Sequence, residues 1–207
     1  MTLFVQLRAA GIVGIVTCLA KKLRYVLLAR RHGFDPWHAK SPYECRGYKR
    51  EVVLLAENLG PQTVVEIGCG LGEIVSRVRD SRRFGFDIDA RVVPAARELH
   101  GADCSFECAG LADVDTIRNT IGDAGADLLV MVNWPHSLPW PELASHTNWL
   151  AKALTLKYLI IDTIAPGIPG YPYHHSLAEL LTLGDVLQSH PSIDGVRTLH
   201  IISLNAP

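Results

Sequence analysis

The sequence has no excess of charge of either sign, because 20 lysine and arginine residues balance 21 aspartate and glutamate residues in a chain of 207. Proteins that track nucleic-acid phosphates carry a basic surplus, so no nucleic-acid partner is predicted. Internal repeats and low-complexity stretches are also lacking, and 48% of the residues are hydrophobic. The composition therefore predicts a globular protein with room for one sheet-based domain and an appendage.

Cysteine is scarce and lacks the spacing of a disulfide framework or a zinc site. The five residues are scattered through apolar segments and form no C-x-x-C pair: Cys18, Cys45, Cys69, Cys104 and Cys108. The odd number favours reduced thiols and hence a cytoplasmic protein. The pair His174-His175 has divergent side chains and no acidic ligand at a suitable spacing, so no metal site is predicted.

No proline occurs between residues 3 and 31, and the apolar run 9–20 is only twelve residues long. A helix needs about 20 apolar residues to cross a bilayer, so this run does not span one unaided. Three- and four-residue steps separate the apolar residues and predict an amphipathic helix. Its apolar stripe is formed by Ile12, Ile15, Val16, Leu19, Leu23, Val26 and Leu27.

Positive charge is concentrated at the start of the chain, where residues 1–50 contain ten lysines and arginines against two acids. The opposite face and far end of the predicted helix carry Lys21, Lys22, Arg24, Arg30 and Arg31. Two interpretations stay open: the helix packs on the domain with solvated charges, or it lies on an anionic membrane or a partner. We predict that residues 1–42 form this basic helix and a connector, with residues 1–31 as the peripheral contact.

After Pro61, short β-branched runs alternate with helical ones, which is typical of strand–helix units around a parallel sheet. The predicted strands are 63–67, 83–87, 105–108, 127–132, 158–163 and a pair after about residue 193. The predicted helices are 48–59, 72–79, 90–99, 111–121, 141–153 and 176–188. We therefore predict an α/β fold: a Rossmann-like, seven-stranded, mostly parallel sheet with an antiparallel C-terminal edge strand at 197–204, plus the N-terminal helical extension.

A glycine-rich turn follows the first predicted strand and reads Glu66-Ile67-Gly68-Cys69-Gly70-Leu71-Gly72. Glycines let backbone amides approach a ligand where a Cβ would collide, and the geometry suits a nucleotide-like cofactor. The dinucleotide pattern G-x-G-x-x-G fails, because Glu73 or Val75 stands where its last glycine is required.

This segment resembles class I S-adenosylmethionine-dependent methyltransferases, in which an acid-containing strand precedes GxGxG. Asp87, seventeen residues beyond Gly70, matches the acid that closes the family's second strand. The resemblance implies that Asp87 accepts the ribose hydroxyls of S-adenosyl-L-methionine and that residues 43–207 form the cofactor-binding methyltransferase domain. The implied cofactor contacts are Glu66, Gly68, Cys69, Gly70, Gly72, Asp87, Ile88 and Asn133. The residue that contacts adenine after strand three stays open, with the amides of Ala109 and Gly110 as candidates.

The loop after strand four carries the candidate catalytic residues, Asn133 and His136, because ligands of open α/β sheets bind beyond the C-terminal strand ends. Histidine is the side chain that most often serves as a general base, so His136 is the candidate for that role, while the Asn133 amide can donate and accept hydrogen bonds. The position is similar to the N/D-P-P-Y/F motif of amino-methylating members. Trp134 and His136 depart from that motif, which disfavours methylation of adenine or glutamine nitrogen.

The loop after strand five is rich in proline and glycine, and we expect it to cover the acceptor pocket. The candidate acceptor contacts are Trp134, Tyr171, Tyr173, His174 and His175. The aromatic stretch at residues 34–38, with Tyr43 and Tyr48, is a further candidate for a substrate lid or for a plain link between the N-terminal helix and the core.

The resemblance implies transfer of a methyl group to oxygen or nitrogen of a small molecule, with a sugar or secondary metabolite as the guess. The alternative is a catalytically silent cofactor-binding protein that docks on a membrane or a partner through its N-terminal helix. A nicotinamide oxidoreductase is disfavoured by the glycine spacing. The acceptor, the atom methylated and the oligomeric state are left open.

Overall fold

The first element is the long helix α1, Leu3–His32. The structure is a computed structural model that describes residues 3–40 and 42–204, with side chains described from residue 16 onward. Gly33 follows α1 in the left-handed conformation (φ 74°), where a residue without a Cβ ends a helix at little cost. Arg30, Arg31 and His32 lie in the last turn and offset the negative end of the helix dipole. The predicted helix is confirmed.

The face that α1 packs on the domain differs from the predicted apolar stripe. The packed face consists of Cys18, Tyr25, Leu28 and Ala29, which are 2–8% exposed. The stripe residues Val16, Leu19, Leu23, Val26 and Leu27 are 39–64% exposed. The side chains of Ile12 and Ile15 lie outside the described residues. The helix thus has two apolar faces: it packs on the domain, as one of the two interpretations held, but through a face other than the predicted stripe.

Seven strands form one sheet in the order β3-β2-β1-β4-β5-β7-β6. Their bounds are β1 Thr63–Ile67, β2 Arg82–Asp87, β3 Ser105–Cys108, β4 Leu128–Met131, β5 Tyr158–Ile164, β6 Gly184–Pro191 and β7 Arg197–Leu204. The first five strands are parallel, and β7 runs antiparallel to both β5 and β6. The predicted fold class is confirmed.

Helices cover both faces of the sheet. They are α2 Gly47–Leu59, α3 Val92–His100, α4 Val114–Ile121, α5 Trp140–Leu154 and α6 Leu177–Leu180. Alternate residues of a strand face opposite sides, so Val64 packs with α2 and α3, whereas Val65 packs with α4 and α5. Both valines are fully buried, and burial of such a side chain contributes about 1.5–3 kcal/mol.

Two predicted helices are wrong. Residues 72–79 form turns and a short 3-10 segment, Val75–Arg77, because Gly72 has φ 70° and the buried Glu66 carboxylate accepts the amide of Val75. The predicted helix 176–188 stops after α6, and residues from Gly184 pair with β7 instead. Tertiary pairing here overrides the local helical pattern.

The terminal strands also differ in position from the prediction. The pair begins at Gly184 rather than after residue 193. Strand β7 lies between β5 and β6, so β6, rather than β7, forms the edge at this end of the sheet. An edge position was predicted for residues 197–204 because they alternate imperfectly, yet that pattern also fits a central strand packed on both faces.

The prediction of five reduced thiols was wrong. Cys18 on α1 and Cys45 form a disulfide, while Cys69, Cys104 and Cys108 are free. Sequence spacing could not reveal this pair, because it forms only where α1 packs beside the turn Tyr43–Cys45. The predicted cytoplasmic location loses the support that it took from reduced cysteines.

The disulfide should stabilise the native state by about 3–4 kcal/mol through the entropy of the closed loop, since its cysteines are 27 residues apart. We expect dithiothreitol to lower the midpoint of urea unfolding of the wild type. The midpoint of the Cys18→Ala/Cys45→Ala variant should not change. Cys108→Ser, which removes an exposed free thiol, is the control and should respond like the wild type. Five reactive thiols in the denatured, unreduced protein would contradict the pairing.

Candidate functional site

The site lies at the edge of the sheet where β1, β2, β4 and β5 end. The glycine loop follows β1, and Gly68, Gly70 and Gly72 all have positive φ, between 53° and 70°. Side chains rarely adopt this conformation, so the backbone path itself requires glycine. A Cβ at Gly68 would also collide with the indole of Trp134.

Asp87 joins the end of β2 to the glycine loop. Its Oδ2 accepts the amide of Gly70 at 2.7 Å, and its Oδ1 accepts the amide of Asp89 at 2.9 Å. Because each carboxylate oxygen can accept two hydrogen bonds, both retain capacity for the hydroxyls of a ligand. The structure therefore brings the two sequence motifs together around one carboxylate.

A cleft of about 580 Å³ opens beside Asp87. Ile88, which is 79% exposed, stands on its wall together with the backbone of Ala109 and Gly110 and the side chain of Leu138. The opposite wall is the indole of Trp134, whose Nε1 donates to the carbonyl of Ile67. The cleft is mostly apolar, with four acidic residues in its lining, Asp87, Asp89, Asp113 and Glu142, and such a slot is suited to a ring bearing a hydroxylated sugar.

A smaller cavity of about 70 Å³ lies beyond this wall and has a charged lining. Gly68, Trp134 and the pair Trp37-His38 border both spaces and separate them. Cys69, a predicted cofactor contact, lines the smaller cavity but is 7% exposed. Sequence reasoning placed His38 only within the aromatic stretch 34–38 and did not assign it to the site. Its position as a histidine ahead of the first core strand was the one signal that pointed to it.

Glu73 anchors the N-terminal helix to the glycine loop. Its carboxylate accepts the Tyr25 hydroxyl at 2.7 Å, the Tyr43 amide at 2.8 Å and the Lys49 ammonium at 2.8 Å. Burial alone would raise the pKa of Glu73, but the charge of Lys49 and the hydrogen bonds from Lys49, Tyr43 and Tyr25 together outweigh burial, and the pKa lies below its usual value. Sequence reasoning used Glu73 only to reject the dinucleotide pattern and missed this role.

Glu66 is fully enclosed beneath the same loop. Burial raises its pKa to about 8, against the opposing effects of the Val75 amide and the Lys49 charge. The carboxyl group is therefore protonated at neutral pH, and a cation entering the smaller cavity would favour its ionised form.

A second cluster forms where β4 and β5 end. Asp162 is fully buried; it accepts Arg197 Nη1 at 2.6 Å and the amide of Asn133 at 2.9 Å. Burial would raise the pKa of Asp162, but the neighbouring His136 and the Arg197 charge lower it below the usual value. The predicted strand 158–163 contains Asp162, but sequence reasoning assigned it no role and missed Arg197, which is 35 residues away in the chain.

Asn133 has φ 73°, a left-handed conformation that asparagine tolerates better than most residues. Its Oδ1 accepts the Tyr171 hydroxyl at 3.0 Å and Arg197 Nη2 at 3.3 Å. These bonds tie the loop after β4 to the loop after β5. Asn133 also borders the smaller cavity, so its side chain is held at the site.

His136 is fully buried and borders neither space. Its ring stacks on His175 at 5.2 Å, and its Nε2 lies 3.4 Å from Asp162 Oδ1. The 3-10 turn Pro135–Ser137 directs the side chain inward. A general base must reach the proton that it removes, so this placement does not support that role for His136.

Of the five predicted acceptor contacts, Trp134 borders the cleft beside Asp87. Tyr171 is engaged with Asn133, and the His175 ring contacts the carbonyl of Pro135 at 3.1 Å. Tyr173 is 40% exposed, and its backbone amide donates to the backbone carbonyl of His136. His174 and His175 face a separate cavity on the other side of β7. The loop after β5 thus packs on the loop after β4 and does not cover the cleft.

No group of three or more histidine, cysteine or acidic side chains in residues 3–40 and 42–204 is arranged to hold a metal ion. Over those same ranges, no helix combines the length and apolarity needed to traverse a bilayer.

No protein-family model matches the sequence, and no curated protein sequence is similar to it. Solved structures do match the fold. Magnesium protoporphyrin IX methyltransferase (ChlM) from Synechocystis PCC 6803, with bound SAH, superposes with a TM-score of 0.61 at 14% identity, covering 91% of this chain and 99% of that one. The N-methyltransferase NodS from Bradyrhizobium japonicum WM9, in complex with S-adenosyl-L-homocysteine, gives 0.63 at 17% identity, covering 87% and 98%.

The methyltransferase domain of bacterial CtHen1 matches with a TM-score of 0.58 at 14% identity, over 76% of this chain and 98% of that one. At sequence identities this low, the superposition establishes a shared fold only. The chemistry is inferred from the residues of the site. The chain therefore has the fold of class I S-adenosylmethionine-dependent methyltransferases, as the two sequence motifs predicted.

Glu66 makes the stability of the protein depend on pH. Its pKa is about 8 in the folded protein against an ordinary value of 4.5, so stability falls as the pH rises through this interval. Between pH 6 and pH 8 the wild type should lose about 2 kcal/mol of unfolding free energy that Glu66→Gln retains. Urea unfolding at both pH values measures this loss. Glu57→Gln, which removes one partner of the exposed ion pair with Arg79, is the control and should lose stability as the wild type does. Equal losses of unfolding free energy in the wild type and Glu66→Gln would refute the assignment.

Proposed function

We propose that this protein is an S-adenosylmethionine-dependent methyltransferase. The observation that carries the proposal is the Asp87 carboxylate, which is bonded to the Gly70 amide and still has acceptor capacity at the edge of an apolar cleft. The neighbours of the same fold add support, because ChlM and NodS were crystallised with the cofactor or its demethylated product.

The described residues fit this cofactor in two parts. Adenosine would occupy the larger cleft, with Asp87 accepting the ribose hydroxyls and Ile88 and Leu138 against the ring. The cationic amino end would face the charged lining of the smaller cavity, where Glu66 lies. Because Trp134 and His38 form the wall between the two spaces, one of them would have to turn aside for a cofactor to occupy both. Once bound, the cofactor supplies an electrophilic methyl group on a sulfonium.

The chain's own contribution is mainly orientation. Asn133, held by Tyr171 and Arg197, presents its amide at the smaller cavity, and Trp134 excludes water and offers an aromatic face to a cation. Alignment of two reactants accounts for a large part of the acceleration in such a site.

We infer that His38, rather than His136, accepts the acceptor's proton. His38 borders both spaces, and its Nδ1 stands close against Gly70. Burial lowers the pKa of His38 although Asp87 and Asp89 oppose this effect, so the imidazole is neutral and able to take a proton near pH 7.

For the acceptor we propose oxygen or nitrogen of a small molecule, with a sugar or secondary metabolite as the first class to test. ChlM is a magnesium protoporphyrin IX methyltransferase, which supports a small acceptor, and NodS is an N-methyltransferase, which supports nitrogen as one of the two candidate atoms. The boundary between residues 42 and 43, the cytoplasmic location, and the peripheral membrane or protein contact through residues 1–31 stay predictions.

Asp87→Asn keeps the size of the side chain and removes its charge. We expect calorimetry to show S-adenosylhomocysteine binding about 10- to 100-fold more weakly, because charge-assisted hydrogen bonds to the ribose are lost. Asp123→Asn, on an exposed loop, is the control and should bind like the wild type. An unchanged dissociation constant in Asp87→Asn, or tighter binding of NADH by the wild type, would overturn the assignment of the cofactor.

His38→Gln should lower kcat by about 10²- to 10⁴-fold with little change in S-adenosylhomocysteine affinity, since a general base acts after binding. Transfer of a labelled methyl group to a panel of amino sugars, phenols and porphyrins measures this effect. His136→Ala should lower kcat less, through the loss of support for Asp162. The reverse order would return the role of base to His136, and cofactor binding with no transfer to any acceptor would favour the catalytically silent protein.

A further inference from the structure

The solvent-facing side of α1 carries an apolar surface that the domain leaves uncovered. We call it the outer stripe, formed by Val16, Leu19, Leu23, Val26 and Leu27, each between 39% and 64% exposed. With 3.6 residues per turn, these positions fall within one arc of the helix, opposite Cys18, Tyr25 and Leu28, which pack on the domain. A packed helix needs only one apolar face, so the second one requires another explanation.

The charges that border the outer stripe are all positive. Helix α1 contains no acidic residue. Helical geometry places Arg24 along one edge of the stripe, Lys22 along the other, and Arg30 at its C-terminal end. Among the described residues, none of these three has an acidic partner within 4 Å, whereas Lys21 on the packed side is paired with Glu44. The basic groups are thus available to an anionic surface.

We propose that the outer stripe docks α1 in the plane of an anionic lipid membrane. A helix with apolar residues facing outward and cationic residues along both edges inserts at the boundary between headgroups and acyl chains. The arc from residue 16 to residue 27 extends over about 17 Å, which suits a helix lying flat. The peripheral contact predicted for residues 1–31 is thereby assigned to a surface and to a chemical partner.

A second copy of the chain is a poorer occupant of the stripe. A symmetric dimer would place the same surface on both sides of the interface and bring the basic edges of two helices together. Repulsion between these like charges would oppose association, whereas anionic headgroups neutralise them.

Flotation of the full chain with lipid vesicles tests the proposal. We expect binding to phosphatidylcholine vesicles that contain about 30% phosphatidylglycerol, and at least tenfold weaker binding to pure phosphatidylcholine. Leu19→Ser/Leu23→Ser should weaken binding to the anionic vesicles by about tenfold or more, since two apolar side chains no longer insert. Arg24→Glu/Arg30→Glu should weaken binding by a similar factor and remove most of its salt dependence.

Leu54→Ser is the matched control, because Leu54 is an equally exposed leucine on α2 and should bind like the wild type. Thermal unfolding of each variant establishes that it is folded before flotation. Equal binding to neutral and anionic vesicles, or unchanged binding of a folded Leu19→Ser/Leu23→Ser variant, would overturn the proposal. So would a solution dimer that this variant abolishes, which would assign the stripe to a second copy. The outcome is independent of methyl transfer.

Discussion

The site depends on buried carboxyl groups that accept loop amides at the edge of the sheet where the parallel strands end. Glu66 in β1 accepts Val75, Asp87 at the end of β2 accepts Gly70, and Asp162 in β5 accepts Asn133. A polar group deprived of water costs free energy unless it is hydrogen-bonded, so each carboxyl group fixes a loop in one position. The shape of the cleft follows from these three attachments more than from the loops' own sequences.

The N-terminal segment is part of this arrangement rather than a loose appendage. Tyr25 reaches Glu73 behind the glycine loop, and the bond between Cys18 and Cys45 ties α1 to the turn before α2. The segment that follows α1 then places Trp37 and His38 against the cleft. These contacts use one face of α1 and leave its outer stripe exposed to solvent.

Most of the fold could be predicted from local patterns. The β-branched runs before Gly68 and Asp87, and the apolar run before Asn133, mark strands because their residues favour an extended, buried backbone. Prediction failed at residues 72–79 and 184–188, where a buried carboxylate and a neighbouring strand decide the conformation. Helical periodicity over such short segments is a weak signal beside those contacts.

The sequence by itself determined the class of fold and the meeting of Asp87 with the glycine loop, because alternating strands and helices have few ways to pack and parallel strands end at one edge. Only the tertiary structure decided which histidine borders the cleft, that Arg197 completes the Asp162 cluster, and which face of α1 is buried. These outcomes rest on pairs of residues far apart in the chain. These pairs come into contact only when the helices and strands pack, so a local sequence pattern does not predict them.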